Sequence, residues 1–588
     1  MPFDSLVLRS LEGELTQLVD SRVLKIHQPS RLEIILTLRK EGENLRLLLS
    51  AHPQHARVHL TTQPRTNPTE PPMFCMYLRR HLEGTRLRHV RRPEGERILG
   101  LVFQGRDELG NPTELELIAE IMGKHSNLIL INRAQRTILA AAKHVTSAVN
   151  RYREVLPGLT YREPPAQNKI QLADLTELSF YSLLQAQRKG VASALVGTVA
   201  GLSPLIAREI AVQANLEENF PTRELVRPEL FRLWKALDEL RQLLHAGHFI
   251  PTLYREQDGR VKEVTAFPLQ LFSAYPRESF ASMSAALDVF FREKEANEQV
   301  NTTRHDLLTV LRHAEERTRK RLALHLSAVT EAGEAQRFRR YGELLFAHAY
   351  HLPQTAAEVK VEDWENPGQH IRIPLEPNLS LNQNAQQYFR RFTKAKKTLA
   401  AAREQLEKDQ EELAYLDSVS LALEDAKTLA ELGEIRRELE KGGYIKPQDQ
   451  VKTTYTKKDP PSSPLEFRSS QGWTILVGRN NRQNDRLTLR AEPHDLWLHA
   501  QNIPGSHVVI RCPKGQEPPE ETILEAALLA AYHSKSRFSS RVPVDYTFCR
   551  NVRKPRGAKP GFVVYEQQRT IYVTPDPEKV EALRRSGS

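Results

Sequence analysis

The sequence predicts an α+β multidomain protein: a β-rich N-terminal domain, a helix-hairpin-helix, a long antiparallel coiled-coil arm and a compact α/β C-terminal domain. Three observations carry this. Short β-rich runs recur at roughly ten-residue spacing over the first quarter of the chain. Apolar residues seven apart then run through a highly charged stretch. The last segment alternates strand-like runs with a single helix. At about 150 residues per domain, 588 residues accommodate about four domains.

In chain order, residues 1–172 form the first domain. Leu32–Arg39, Leu45–His52, Ala56–Thr62, Arg97–Gln104, Glu114–Ile121, Asn127–Asn132 and Thr137–His144 read as strands of a sandwich-like sheet, with Pro71–Glu83 helical. Lys40–Asn44 is a hairpin turn, and Pro157-Gly158 and Pro164-Pro165 mark the boundary. Residues 173–250 are helical. There Gly201-Leu202-Ser203-Pro204 opens a helix, with Ser203 as N-cap and Pro204 at its first position. Such a turn can offer backbone N–H groups to a phosphate.

Residues 251–445 hold two long helices. Phe392, Leu399, Leu406 and Leu413 share one register and Ala395, Ala402 and Leu416 its companion, interrupted by Asp409; the first helix is looser, with Leu308, Leu311, Leu322 and Val329 fitting while Glu315 and Thr318 do not. Alternating runs at Val359/Val361 and Ile371/Ile373/Leu375 make a small β tip, about 353–378. Residues 446–465, with DPPSSP, are a linker, and 466–580 form the last module.

Composition bounds the function. Cys75, Cys512 and Cys549 form no CxxC pair, which excludes a disulfide framework and a zinc finger. No apolar run approaches the ~18 residues of a membrane span. MPFDSLVLRSLEGEL lacks the basic stretch and apolar core of a signal peptide, so a cytoplasmic protein is expected. Gln471–Pro575 carries 15 Lys/Arg against 9 Asp/Glu, about half of the net charge of +11. A basic module of this kind points to a polyanion, nucleic acid first.

The chain lacks GxxxxGK[ST], GxGxxG, GxSxG and HExxH patterns. His494, Asp495, His499 and His507 resemble a metal or acid–base cluster. Asp495 and His499 flank the apolar Leu496-Trp497-Leu498, so a structural role is expected, with no metal and no cofactor. Phosphate recognition fits the module better. Arg479, Arg482 and Arg486 alternate with Asn480, Asn481 and Asn484 in a turn-rich stretch. Arg553, Lys554, Arg556 and Lys559 sit in a loop that Pro555, Gly557 and Pro560 keep from becoming helical. Trp497, Tyr532, Phe538 and Tyr546 are expected in the core rather than stacked on bases. In the first domain, Glu120, Lys124, His125, Ser126 and Asn127 gather at the Gly123 turn between two apolar strands, a placement suited to binding.

The segments EIMGKHSNLILIN, NRYREVLPGLTYREPP, IPLEPNLSLNQNAQQYFRRFTKAKK, VGRNNRQNDRLTLR, DLWLHAQNIPGSHVVIR and VPVDYTFCRNVRKPRGAKPGFVVY follow one another in this chain. In content and order they resemble the NFACT family over nearly the whole length. The resemblance implies a ribosome quality-control factor. It would bind the large (50S) ribosomal subunit carrying stalled peptidyl-tRNA, recruit alanyl-tRNA, and direct mRNA-independent C-terminal alanine tailing that marks the nascent chain for degradation. It further implies rRNA contacts through the C-terminal RNA-binding module and the arm tip, a small RqcP-type partner, and no membrane partner. Peptidyl transfer would belong to the ribosome, so the chain is expected to be no enzyme and to hold no catalytic residue.

Residue by residue, the family's Asp-Arg pair for tRNA recruitment falls on Glu96-Arg97, placed by its distance from the Glu-Ile of EIMG. Glu is one methylene longer than the family's Asp, and Arg97 retains a bidentate fork for phosphate or a guanine edge. Glu120 and Ile121 fall on the Glu-Ile position, Asp4 on an N-terminal Asp, and His125 and Asn127 complete the expected tRNA set. Arg479, Asn480, Arg482, Arg486, Arg553, Lys554, Arg556 and Lys559 are the expected RNA contacts of the last module. Two other readings are a surface fibronectin-binding adhesin, after the naming of some relatives, and a DNA glycosylase with the amine of Pro2 as nucleophile. The missing signal peptide opposes the first and the missing zinc finger the second.

Overall fold

Alternation of apolar residues over the first 141 positions builds one sheet, not a sandwich. The computed structural model describes residues 3–106, 111–165, 167–351, 353, 356–366, 368–447 and 462–586. Pro2 and residues 448–461 of the expected linker lie outside these. Helix α1 (Ser5–Thr16) is followed by strands β1 (Arg22–Ser30), β2 (Glu33–Lys40), β3 (Glu43–Ser50) and β4 (Arg57–Leu60), and then by helix α2 (Met73–Leu82). Strands β5 (Arg86–Arg91), β6 (Ile98–Arg106), β7 (Pro112–Glu120), β8 (Asn127–Asn132) and β9 (Thr137–Ala141) complete a nine-stranded sheet of order β4-β3-β2-β1-β5-β6-β7-β8-β9. The central strands are apolar on both faces. Leu101, Phe103, Leu117 and Leu130 pack into the core that holds α1 and α2, while Ile98, Ile118, Ile129 and Ile131 bury against Val155 and Tyr161 on the other side. One sheet therefore serves two layers. The β2–β3 hairpin closes with Glu41 and Gly42 both at positive φ, as a tight two-residue turn needs.

Helices α3 (Glu177–Ala186), α4 (Val191–Thr198), α5 (Pro204–Gln213) and α6 (Arg227–Ala246) share a second core. As expected, Ser203 caps α5 by accepting from the Ile206 amide at 3.3 Å, with Pro204 in the first turn. A small three-stranded sheet follows: β10 (Thr252–Arg255), β11 (Val261–Thr265) and β12 (Arg277–Ser279). The chain divides into two units, Met1–Asn297 and Glu298–Ser588. In the first, the buried Arg57 bridges Glu33 and Glu295, and Asp288 accepts from Thr61 and Thr62, which ties the early turns of helix α7 (Met283–Gly333) to the sheet.

In the second unit α7 runs beside α9 (Leu381–Asp425). Arg304 donates to Leu423 O at 3.1 Å and Arg321 to Asp409 at 3.0 Å, so the two helices are antiparallel. Burial on α9 follows the predicted registers. Phe392, Ala395, Leu399, Ala402, Leu406, Leu413 and Leu416 are buried or half-buried among exposed neighbours. Asp409, which interrupts that pattern in sequence, is also buried; Arg321 pairs with it at 2.9 Å and the His325 ring hydrogen-bonds it at 2.7 Å. Helix α8 (Ala335–Ala347) and the hairpin β13 (Glu358–Glu362) with β14 (His370–Pro374) build the small β element, and α10 (Leu429–Lys441) follows α9.

The last module is a six-stranded sheet. It comprises β15 (Leu465–Arg468), β16 (Thr474–Val477), β17 (Leu496–Ala500), β18 (Val508–Ile510), β19 (Val542–Phe548) and, after the short pair β20 (Val552–Arg553) and β21 (Val564–Tyr565), β22 (Arg569–Val573). Helix α11 (Asn481–Leu489) occupies the stretch expected to be turn-rich, α12 (Glu520–Tyr532) packs on one sheet face, and α13 (Pro577–Ser586) ends the chain. Among the described residues no helix is long and apolar enough to cross a membrane.

Candidate nucleic-acid interface

Two regions hold the residues singled out from sequence. In the N-terminal unit, Asp4 is the N-cap of α1, accepting from the Leu6 and Val7 amides at 3.0 and 2.9 Å, while its second oxygen accepts from the Ser203 hydroxyl at 2.7 Å. The Ser5 hydroxyl donates to Gly201 O. Gly201 has φ +78°, and a Cβ there would stand 3.2 Å from the Gly95 Cα. The helix-hairpin-helix turn thus seats on the start of α1 and on the loop leading to Glu96-Arg97. This packing occupies one side of the turn that was considered for phosphate.

Glu96 and Arg97 are half-buried at the entrance to β6. Burial raises the Glu96 carboxyl above its ordinary range, against the pull of Arg97 and Lys169. Arg97 O accepts from the Ile121 amide at 2.9 Å, and Ile98 pairs with Glu120, so the two dipeptides lie side by side.

Several residues expected to touch tRNA are inside the protein. Glu120 has a fully buried carboxylate, bound by Arg153 at 2.7 and 2.5 Å and by the Tyr161 hydroxyl at 2.9 Å. Burial, then Glu120, push the Tyr161 phenol up, so it remains a donor. Ile121 lies in the core. Asn127 is buried, accepting from the Lys143 amide at 2.9 Å and donating to Lys143 O at 2.8 Å. Asp4 is equally engaged. A buried polar group needs its partners inside the protein, so these four residues position the surface. Glu96 and Arg97 are half-buried and His125 is exposed, so these three reach the surface. Arg153 and Tyr161 were missed from sequence; their signal was their place in the NRYREVLPGLTYREPP motif.

In the C-terminal module, Glu431, Glu434 and Glu438 line one buried face of α10. Arg479 pairs with Glu431, the Asn480 side chain donates to Glu434 at 2.9 Å, Arg486 approaches Glu434 at 3.4 Å, and Asn481 donates to Ser418 at 2.8 Å. Lys559 pairs with Glu412, Lys554 with Asp485, and Arg537 with Asp425 at 2.9 Å. Hence Arg479, Asn480, Arg486, Lys554 and Lys559, expected to contact RNA, are engaged inside the protein, and all but Lys554 hold the module on α9 and α10. The physical reason is that buried carboxylates must be matched by cations or donors. Arg482 is half-buried at the start of α11, with no ion pair among the described residues.

Arg553 and Arg556 do face solvent; among the described residues Arg553 pairs with the equally exposed Glu566, a contact worth little in water. Two arginine–aromatic pairs were not foreseen, Arg550 over Phe548 at 4.6 Å just before β20 and, at the opposite end of β19, Arg541 over the exposed Tyr572 at 5.7 Å. Trp497 is buried as expected, whereas Phe538 is 95% exposed. Asp495 accepts from Arg511 and the Cys512 amide, a structural role, and burial lowers His499 to about 4. Among the described residues no three His, Cys, Asp or Glu converge as metal ligands.

Comparison with known proteins adds to this geometry. Residues 4–458 match the NFACT N-terminal and middle domains, and residues 464–567 match the NFACT protein RNA binding domain. The chain is 39% identical over its full length to the whole of a Bacillus subtilis protein named Rqc2 homolog RqcH, and 34% identical to a Streptococcus pneumoniae protein of the same name, again over the whole of both chains. Among solved structures, the fibrinogen binding protein from Staphylococcus aureus is 30% identical and covers 50% of this chain and 99% of its own, with a TM-score of 0.42.

Proposed function

The chain belongs to the NFACT family, and on that premise we propose that it is a cytoplasmic ribosome quality-control factor. It binds large ribosomal subunits that carry stalled peptidyl-tRNA, recruits alanyl-tRNA, and directs mRNA-independent alanine tailing of the nascent chain, with a small RqcP-type protein as partner. The peptide bond is made by the ribosome; this chain selects and positions tRNA. The observation that carries the reading, beside full-length similarity to the RqcH proteins, is the surface built around Glu96-Arg97. A carboxylate and a guanidinium are held at the mouth of a rigid strand pair. They are backed by the Glu120–Arg153–Tyr161 network, with the helix-hairpin-helix turn against the preceding Gly95. On this reading Arg97 is the residue that engages a phosphate or a base edge of the tRNA, through its bidentate fork. In the last module, the exposed Arg541, Arg550, Arg553 and Arg556 supply phosphate contacts for rRNA.

The test is co-sedimentation of tagged protein with ribosomal particles, with sequencing of the recovered RNA. The expected result is migration with free large subunits and enrichment of alanine tRNA. Glu96→Ala with Arg97→Ala should remove the tRNA and leave the subunits. Equal loss of both refutes the division of labour, and absence from ribosomal particles refutes the reading.

A further inference from the structure

Where α7, α9 and α10 meet the C-terminal module, a cavity of about 570 Å³ opens, a size that suits a nucleotide. Arg317, Arg321, Lys441, Arg482 and Lys559 line it, against the carboxylates of Glu412 and Glu438. The carboxylates are already engaged. Glu412 accepts from Lys559 and from the Tyr444 hydroxyl, and Glu438 accepts from the Tyr415 hydroxyl at 2.9 Å and from Asn481 at 3.2 Å. Arg321 is held by Asp409 at 2.9 Å. Arg317, Lys441 and Arg482 remain, with no carboxylate partner among the described residues. Arg482 is half-buried, so its guanidinium has lost part of its hydration, while Glu438, the carboxylate whose charge it feels, is already engaged by Tyr415 and Asn481; a bound anion would offset that cost.

The lining also says which part of a ligand is recognised. Tyr415 and Tyr444 are the aromatic rings present, and the Lys559 ammonium lies over both, at 4.7 and 5.6 Å from their centroids. With those faces covered, nothing is arranged to stack on a base, whereas guanidinium forks and an ammonium suit phosphate oxygens. We propose that this cavity is a phosphate-binding site in which Arg317, Lys441 and Arg482 hold a phosphate group of an RNA strand or of a free nucleotide without selecting the base. The phosphate chemistry follows from the lining alone; RNA as its source rests on the ribosome reading above.

Titration calorimetry of the full-length protein at low salt would use inorganic pyrophosphate, ADP, GDP and a short single-stranded oligoribonucleotide. Binding of pyrophosphate or of both nucleotides with equal affinity is expected if the source is a free nucleotide, and binding of the oligonucleotide if it is RNA. Arg482→Ala and Lys441→Ala should each weaken binding by about tenfold. Each should also lower the salt slope of oligonucleotide binding by about one. Lys441 is exposed and engages no carboxylate among the described residues, so its variant reports on the cavity even if Arg482→Ala disturbs α11. No binding of any of the four, or unchanged affinity in the Lys441 variant, overturns the proposal. Co-sedimentation of the same preparations separates the two readings. Wild type that migrates with large subunits yet binds no anion removes the cavity proposal alone. Anion binding without ribosome association removes the ribosome reading alone.

Discussion

The Glu120–Arg153 pair sets up a quantitative test. The Glu120 carboxylate is fully buried and the Arg153 side chain only 9% exposed, with two short hydrogen bonds between them and a third from Tyr161. Arg153→Met removes the counter-charge and leaves a buried carboxylate held by one phenol. Breaking a buried pair from one side costs about 3–5 kcal/mol, because the remaining charge is uncompensated. At roughly 2–4 °C per kcal/mol for a unit of this size, the melting midpoint of the N-terminal unit should fall by roughly 10 °C. Glu120→Gln leaves Arg153 with a neutral partner and should cost less. In Glu120→Gln/Arg153→Met no buried charge is stranded, so the double variant should be more stable than Arg153→Met alone. Calorimetry of the three variants and wild type closes the cycle. Additive losses, or an Arg153→Met midpoint within experimental error of wild type, would refute the assignment of Glu120 as a buried positioning group. They would return it to the ligand-facing surface.

The remaining predictions concern the hairpin seat, the α10 seam and pH. Gly201→Ala forces a side chain into φ +78° against Gly95 and should cost about 1–2 kcal/mol, measured by urea denaturation; no loss would mean the turn is not seated as described. Glu434→Lys places a cation beside Asn480 and Arg486 and should raise amide exchange across α10 and α11; unchanged exchange would show that the seam does not depend on this carboxylate. Desolvation holds His499 and His533 near 4 and His507 below the ordinary 6.5, so the unfolded chain takes up protons first as pH falls. The module's stability is therefore whole above about 6.5 and declines toward 4, by up to about 1.4 kcal/mol per pH unit for each imidazole. A denaturation midpoint that stays flat across that window would contradict their burial.

Much of the fold is local and was legible as such. In the first sheet, period-two runs located β2, β3, β4, β6, β7 and β8 within two residues, the Ser203-Pro204 signature located the start of α5, and the seven-residue repeat located the buried stripe of α9. Strand β1 was missed because Arg22, Lys25, His27, Gln28 and Pro29 dilute its apolar pattern, and it is held by its neighbours in the sheet. The single sheet, in place of a sandwich, could not be read because alternation tells which face each residue takes and not what covers it.

The candidate sites divide along the same line. Residue types and order sufficed to mark the basic last module and the resemblance to NFACT proteins. Only tertiary structure decided which of those charges face solvent. Glu120 finds Arg153 across 33 residues, Arg479 finds Glu431 across 48, and Lys559 finds Glu412 across 147. A charge in sequence is an offer to any partner. The low dielectric of a packed seam makes an internal partner obligatory there, while the same charge left in water keeps its freedom to meet a ligand.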